Sequence, residues 1–140
     1  MHTIENKQKV LFICTGNSCR SQIAEGLLRN MERNDFEVFS AGSHPSRVHP
    51  AAITVMKEKG IDISNHSSDG IDKYLEEDLD IVITVCDNAK EVCPIFKDTV
   101  KKMHWSIEDP FRGWKSKESD LANFRNALNE IEKHIKSSLV

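Results

Sequence analysis

A cysteine and an arginine six positions apart, with small and polar residues between them, form a pattern suited to attack on a tetrahedral oxyanion. Here the string is Cys14-Thr15-Gly16-Asn17-Ser18-Cys19-Arg20-Ser21. A tight turn of such residues aims consecutive backbone N–H groups at one point, and a following helix adds its own free N–H groups and dipole. Gly16 and Asn17 both tolerate a left-handed backbone. Arg20 brings a planar fork that matches two oxygens of the anion. The same field favours a thiolate at Cys14, which the Ser21 hydroxyl would hydrogen-bond. The alternative is a buried structural cysteine before an ordinary helix start, since a bare Cys-x5-Arg arises readily by chance. The nucleotide-binding string Gly-x4-Gly-Lys-Ser/Thr is absent.

A nucleophile on an oxyanion needs an acid for the departing oxygen. Asp109, in the loop string Asp109-Pro110-Phe111-Arg112-Gly113, is the candidate; an Asp that merely favours a turn before Pro reads equally well. Cys86 and Cys93 offer further thiols. On a regular helix their separation of seven residues is about 10 Å of rise, beyond the roughly 7 Å between Cα atoms that a disulfide allows. A bond between them would require the polar stretch Asp87 to Val92 to unwind, which would make it a redox switch. Spacing alone reads as readily as a core cysteine and an incidental surface thiol. Cys19, at the helix start, reads as a buried spectator. A zinc site fits poorly: Cys86 and Cys93 are too widely spaced for the usual ligand pair, and Arg20 would face a cation. The histidines at 2, 44, 49, 66, 104 and 134 show no ligand spacing.

The elements that must position these groups follow from periodicity. Lys9 to Cys14 is a short apolar run ending in a turn signal, a buried strand. Ile23, Leu27, Leu28 and Met31 then fall on one helical face, with Ser18 or Ser21 as caps. Phe36 to Ala41 alternates and stops at Gly42, a second strand. His49-Pro50 opens a helix with Pro near its first position, Ala52, Val55 and Met56 inward, and Gly60 closing it. Asp80 to Cys86 is apolar enough for a strand buried on both faces. A short helix capped by Asp87 or Asn88 would end near Cys93-Pro94. Val100 to Trp105 is a weaker strand, and a long helix from about Ser119 carries Leu121, Phe124, Leu128, Ile131 and Ile135. Alternating strands and helices predict an α/β fold: a four-stranded parallel sheet flanked by helices on both faces, in a single domain over residues 1–140. Ligands in such folds sit beyond the carboxyl ends of the strands. Cys14, Cys86 and the Asp109 loop each follow a strand, so the fold gathers them at one edge.

Composition narrows the class. A net charge of −3 with scattered basic residues predicts no nucleic-acid partner. No apolar run reaches the ~18 residues of a membrane span. The polar start at Met1 to Lys9 lacks a signal-peptide core, so a cytoplasmic protein with reduced thiols is expected. Four cysteines there suggest catalysis or redox chemistry rather than a disulfide framework.

The string Val10 to Gly26, VLFICTGNSCRSQIAEG, closely resembles the thioredoxin-coupled arsenate reductases, which share the low-molecular-weight tyrosine phosphatase fold. Ser40-Ala41-Gly42, Gly60-Ile61-Asp62-Ile63-Ser64, Thr84-Val85-Cys86-Asp87, Cys93-Pro94 and Asp109-Pro110 follow in the family's order. The phosphatases themselves generally lack the Cys86 and Cys93 pair and usually carry Tyr where this chain has Phe111. The resemblance implies a three-thiol relay. Cys14 attacks arsenate, held by Arg20 and the loop amides, while Asp109 protonates a leaving oxygen. Cys86 then forms a Cys14–Cys86 disulfide, and Cys93 a Cys86–Cys93 disulfide that thioredoxin reduces. Phosphate or sulfate would mimic the substrate. The enzyme would need no obligatory cofactor and would act as a monomer, in arsenic detoxification. The alternative is a phosphatase acting on phosphotyrosine. Some members of the family hold a potassium ion beside the loop; Asn17, Glu25, Ser40 and Asp69 match that site by position, and loop-supporting hydrogen bonds account for the same residues.

Overall fold

The computed structural model describes residues 7–31, 35–85, 100–114 and 117–139. Its first strand, β1 (Gln8–Cys14), is the apolar run expected. It is followed by helix α1 (Arg20–Arg29), strand β2 (Phe36–Gly42), helix α2 (Pro50–Glu58), a single 3-10 turn (Ile71–Tyr74), strand β3 (Ile81–Thr84), strand β4 (Lys101–His104) and helix α3 (Glu118–Ser138). The short helix expected near Cys93-Pro94 falls outside the described residues.

The four strands form one parallel sheet in the order β2-β1-β3-β4. The chain moves from β1 to one side and returns to the other side for β3. The carboxyl end of β1, where Cys14 stands, is therefore the switch point at which such sheets hold ligands. Both faces are covered, because Leu11, Phe12 and Ile13 are all fully buried. On one face Ser40 bonds Glu25 of α1, and Phe12 meets Trp105, which stacks on His134 of α3. On the other face Phe39 packs on Tyr74 of the 3-10 turn.

The three helices pack on one another. Gly26 permits this closeness: a Cβ there would lie 2.7 Å from Met56 and 2.8 Å from Ile63. In α3, Leu121, Phe124, Leu128, Ile131 and Ile135 are the buried stripe that their spacing predicts, joined by Ala127. Helix α2 starts at Pro50 with His49 as its cap, and Gly60, at φ +79°, ends the turn after it. One expectation fails. Neither Ser18 nor Ser21 caps α1; the cap position is Cys19, with no side-chain bond to the helix amides. No helix of the described residues is long and apolar enough to cross a membrane.

Candidate active site

The loop between β1 and α1 is held from outside by its carbonyls. Thr15 O accepts from His44 N at 2.8 Å, and Gly16 O from Ser46 N at 3.1 Å and the Ser68 hydroxyl at 3.2 Å. Asn17 O accepts from Gln22 Nε2 at 3.0 Å, and Ser18 O from His49 N at 3.0 Å. With four successive carbonyls turned outward, the backbone N–H groups of the loop face the other way, toward the pocket. The uncapped N-terminus of α1 adds its amides to the same place.

Asn17 makes the turn possible. Its φ of 47° lies in the left-handed region, which Asn tolerates better than most residues. Gly16 was expected to share that role, but it has no positive φ. The close glycine is instead Gly42, at the end of β2. A Cβ there would lie 2.5 Å from Thr15 O and 2.8 Å from Asn17 N, so the strand end and the loop touch only because it is glycine. Asn17 then ties the loop down. It donates to Ser21 Oγ at 2.7 Å and Ser40 Oγ at 3.0 Å, and accepts from Asp69 N at 2.7 Å.

Cys14 and Cys19 are buried free thiols. The Cys14 sulfur lies 2.9 Å from Ser21 Oγ, as its role in the loop predicts. Burial pushes the Cys19 thiol up to about 12, a shift that its contact with Ser18 only partly offsets. Cys19 is therefore a protonated thiol at ordinary pH, unlike a nucleophile. Arg20 is buried beneath the pocket. Its Nη1 donates to Ile107 O at 2.9 Å, and its Nη2 lies 3.6 Å from Asp109 Oδ2. Its Nε is buried with no partner in the protein. A buried guanidinium N–H left unpaired costs on the order of 1–3 kcal/mol, and an oxyanion oxygen in the pocket would satisfy it.

The pocket, about 210 Å³, is lined by Cys14, Thr15, Gly16, Ser18, Cys19 and Arg20 below, and by Ser46, Asp109, Phe111 and Trp114 around the rim. Asp109 is half exposed there. Its Oδ1 accepts from Phe111 N at 2.9 Å, which leaves Oδ2 facing Arg20 and the pocket. The structure thus brings Cys14, the loop, Arg20 and Asp109 together. Cys86 and Cys93, and with them both expected disulfides, lie outside the described residues. Sequence reasoning missed Gly42, Ser46, His49, Phe111 and Trp114. His49 was read only as part of a His-Pro helix start, Gly42 as the end of a strand and Phe111 as standing in the phosphatases' Tyr position, none of them as part of the pocket.

Asn17, Glu25, Ser40 and Asp69 do come together, as one hydrogen-bonded cluster behind the loop. Ser40 Oγ donates to Glu25 Oε1 at 2.6 Å, and Glu25 pairs with Arg29. Asp69 accepts from the Ser67 hydroxyl at 2.9 Å and lies 3.4 Å from Lys73 Nζ. Their oxygens are the hard donors a potassium ion takes, yet each carboxylate is already balanced by a protein cation. The arrangement fits the hydrogen-bonding role as it stands; Arg29 and Lys73 are more than half exposed and free to swing aside for an ion. His66 flanks the cluster, with Nδ1 at 3.0 Å from Gln22 Oε1 and 3.7 Å from Glu25. Burial lowers its pKa.

Comparison with known proteins agrees with this geometry. Residues 9–139 match the family model described as low molecular weight phosphotyrosine protein phosphatase. An arsenate reductase of Halalkalibacterium halodurans is 42% identical over 132 residues, covering 94% of this chain and 95% of that protein. The solved structure of an arsenate reductase in the phosphate binding state superposes with a TM-score of 0.74 at 34% identity, covering 93% of this chain and 95% of the other. A thioredoxin-dependent arsenate reductase from Corynebacterium glutamicum gives a TM-score of 0.72 at 28% identity; the match covers 96% of this chain and 63% of that one. A thiol at the end of β1, a nest of inward amides and an arginine short of one acceptor are thus found on a chain that belongs to the low molecular weight phosphotyrosine protein phosphatase family, among relatives that are arsenate reductases.

Proposed function

We propose that this chain reduces arsenate to arsenite, with electrons delivered by thioredoxin through three cysteines. The observation that carries the oxyanion part is Arg20 Nε, buried without a partner at the floor of the pocket that holds Cys14. The names of the relatives support arsenate over other oxyanions, and the C. glutamicum protein supports thioredoxin.

The steps balance as follows. The Cys14 thiolate attacks arsenic, and Asp109 protonates the departing oxygen, which leaves as water. The developing charge on the remaining oxygens falls to the loop amides and Arg20. Cys86, as thiolate, attacks the Cys14 sulfur. The S–As electron pair stays on arsenic, arsenic(V) becomes arsenic(III), and arsenite leaves a Cys14–Cys86 disulfide behind. Cys93 attacks Cys86, which frees Cys14, and thioredoxin reduces the resulting Cys86–Cys93 bond. The cluster around Asn17 keeps the loop in shape; a potassium ion taken up there would act through the loop rather than on arsenate.

One assay tests the reading: NADPH oxidation with thioredoxin, thioredoxin reductase and arsenate. Arsenate-dependent oxidation is expected, and Cys86→Ser and Cys93→Ser should each abolish it. A Cys93→Ser variant that still turned over would defeat the relay. A second reading, hydrolysis of an aryl phosphate, draws on the aromatic rim of Phe111 and Trp114. No arsenate-dependent oxidation together with fast cleavage of a phosphotyrosine mimic would favour it.

A further inference from the structure

His49 is fully buried and both of its ring nitrogens are engaged. Nδ1 accepts from Ala51 N at 2.9 Å, so the ring proton sits on Nε2, which donates to Gly113 O at 2.7 Å. The backbone N–H of the same residue donates to Ser18 O at 3.0 Å. His49 therefore holds the Cys14 loop with its main chain and the Asp109 loop with its ring. Packing reinforces the second contact. Trp114 stacks on the imidazole at 5.2 Å between centroids and 16° between planes, and Phe111 meets its edge at 5.5 Å. From Phe111 the path to the acid is one bond, Phe111 N to Asp109 Oδ1.

We infer that His49 is a positioning residue for the reaction: its ring anchors the segment 111–114, which in turn aims Asp109 at the oxygen leaving from Cys14's substrate. The inference rests on the proposed role of Asp109 as proton donor. A buried hydrogen bond to a loop carbonyl is modest in stability, but displacing an acid by an ångström is costly in rate.

His49→Asn separates the two jobs of the ring. Asn is a good helix cap and keeps the bond from Ala51 N, but it is too short to reach Gly113 O. Placed in a Trp105→Phe background, the variant leaves Trp114 as the remaining tryptophan, since the chain has two. We expect His49→Asn to shift Trp114 emission to the red and to lower arsenate turnover about tenfold. The constant for inhibition by phosphate should stay within about twofold, because the Cys14 loop keeps its own bonds. Unchanged emission with unchanged turnover overturns the inference, and so does phosphate affinity falling in step with turnover. If the unsubstituted chain reduces no arsenate, the proposed function fails and the anchor is judged on aryl phosphates. There, a loss that grows as the leaving group becomes more basic supports it, and a uniform loss overturns it.

Discussion

The Ser21 hydroxyl lies 2.9 Å from the Cys14 sulfur. Asn17 donates to the same oxygen at 2.7 Å, which leaves the Ser21 proton free to point at sulfur. In the proposed reaction that bond would be to the attacking sulfur. Hydrogen bonds to charged groups contribute about 1.5–3 kcal/mol. Ser21→Ala should therefore slow alkylation of Cys14 by iodoacetamide by about tenfold to a hundredfold. An unchanged rate would remove Ser21 from the site's chemistry.

Two thiols line one pocket, and they should behave oppositely. Cys19, pushed up to about 12 by burial, should resist the same reagent at about pH 8 until the protein is unfolded. Cys14 should be labelled in the folded state. Peptide mapping after brief labelling distinguishes them, and Cys19→Ser should keep most of the activity.

Gly42→Ala places a methyl group against Thr15 O and Asn17 N. Backbone atoms on a braced loop cannot swing aside as a side-chain end can. The variant should lose about 1–3 kcal/mol of stability, and phosphate should no longer raise its melting temperature. Chemical denaturation measures the first effect, and thermal unfolding with and without phosphate the second.

The sheet and helices were legible because their signals are local. Val10 to Ile13 form an unbroken apolar run, and Leu121 to Ile135 keep a helical period, so neither needs a distant partner to be read. Asn17 was legible for the same reason: a loop before a helix needs a residue that accepts a left-handed turn. Gly42 and His49 were not. Each matters through atoms far along the chain, Thr15 and Asn17 for one and Gly113 for the other, and no local pattern encodes that approach. Ser18 and Ser21 misled as caps because their hydroxyls turn to the two cysteines instead.

His66 makes stability depend on pH. Burial keeps its pKa below the ordinary value of about 6.5, so the unfolded chain takes up the proton first. The contribution is complete above about pH 6.5 and is lost as the pH falls through the lower, folded value. His66→Gln cannot titrate. Urea midpoints measured between about pH 7.5 and 5 should fall more steeply in the parent than in that variant. Parallel slopes would assign the acid sensitivity elsewhere.

The Nε of Arg20, buried without a protein partner, offers an oxyanion in the pocket a hydrogen bond that no residue competes for. Whatever oxyanion is most abundant around the protein will then stabilise it by mass action, as any ligand confined to the folded state does. On the proposed function, phosphate and arsenate would compete for this one pocket, because they share shape and charge. Selectivity between two anions of one shape and charge is then a matter of exit: phosphate is released as it came, whereas arsenate leaves as a different molecule, with lower charge and geometry that the nest no longer fits.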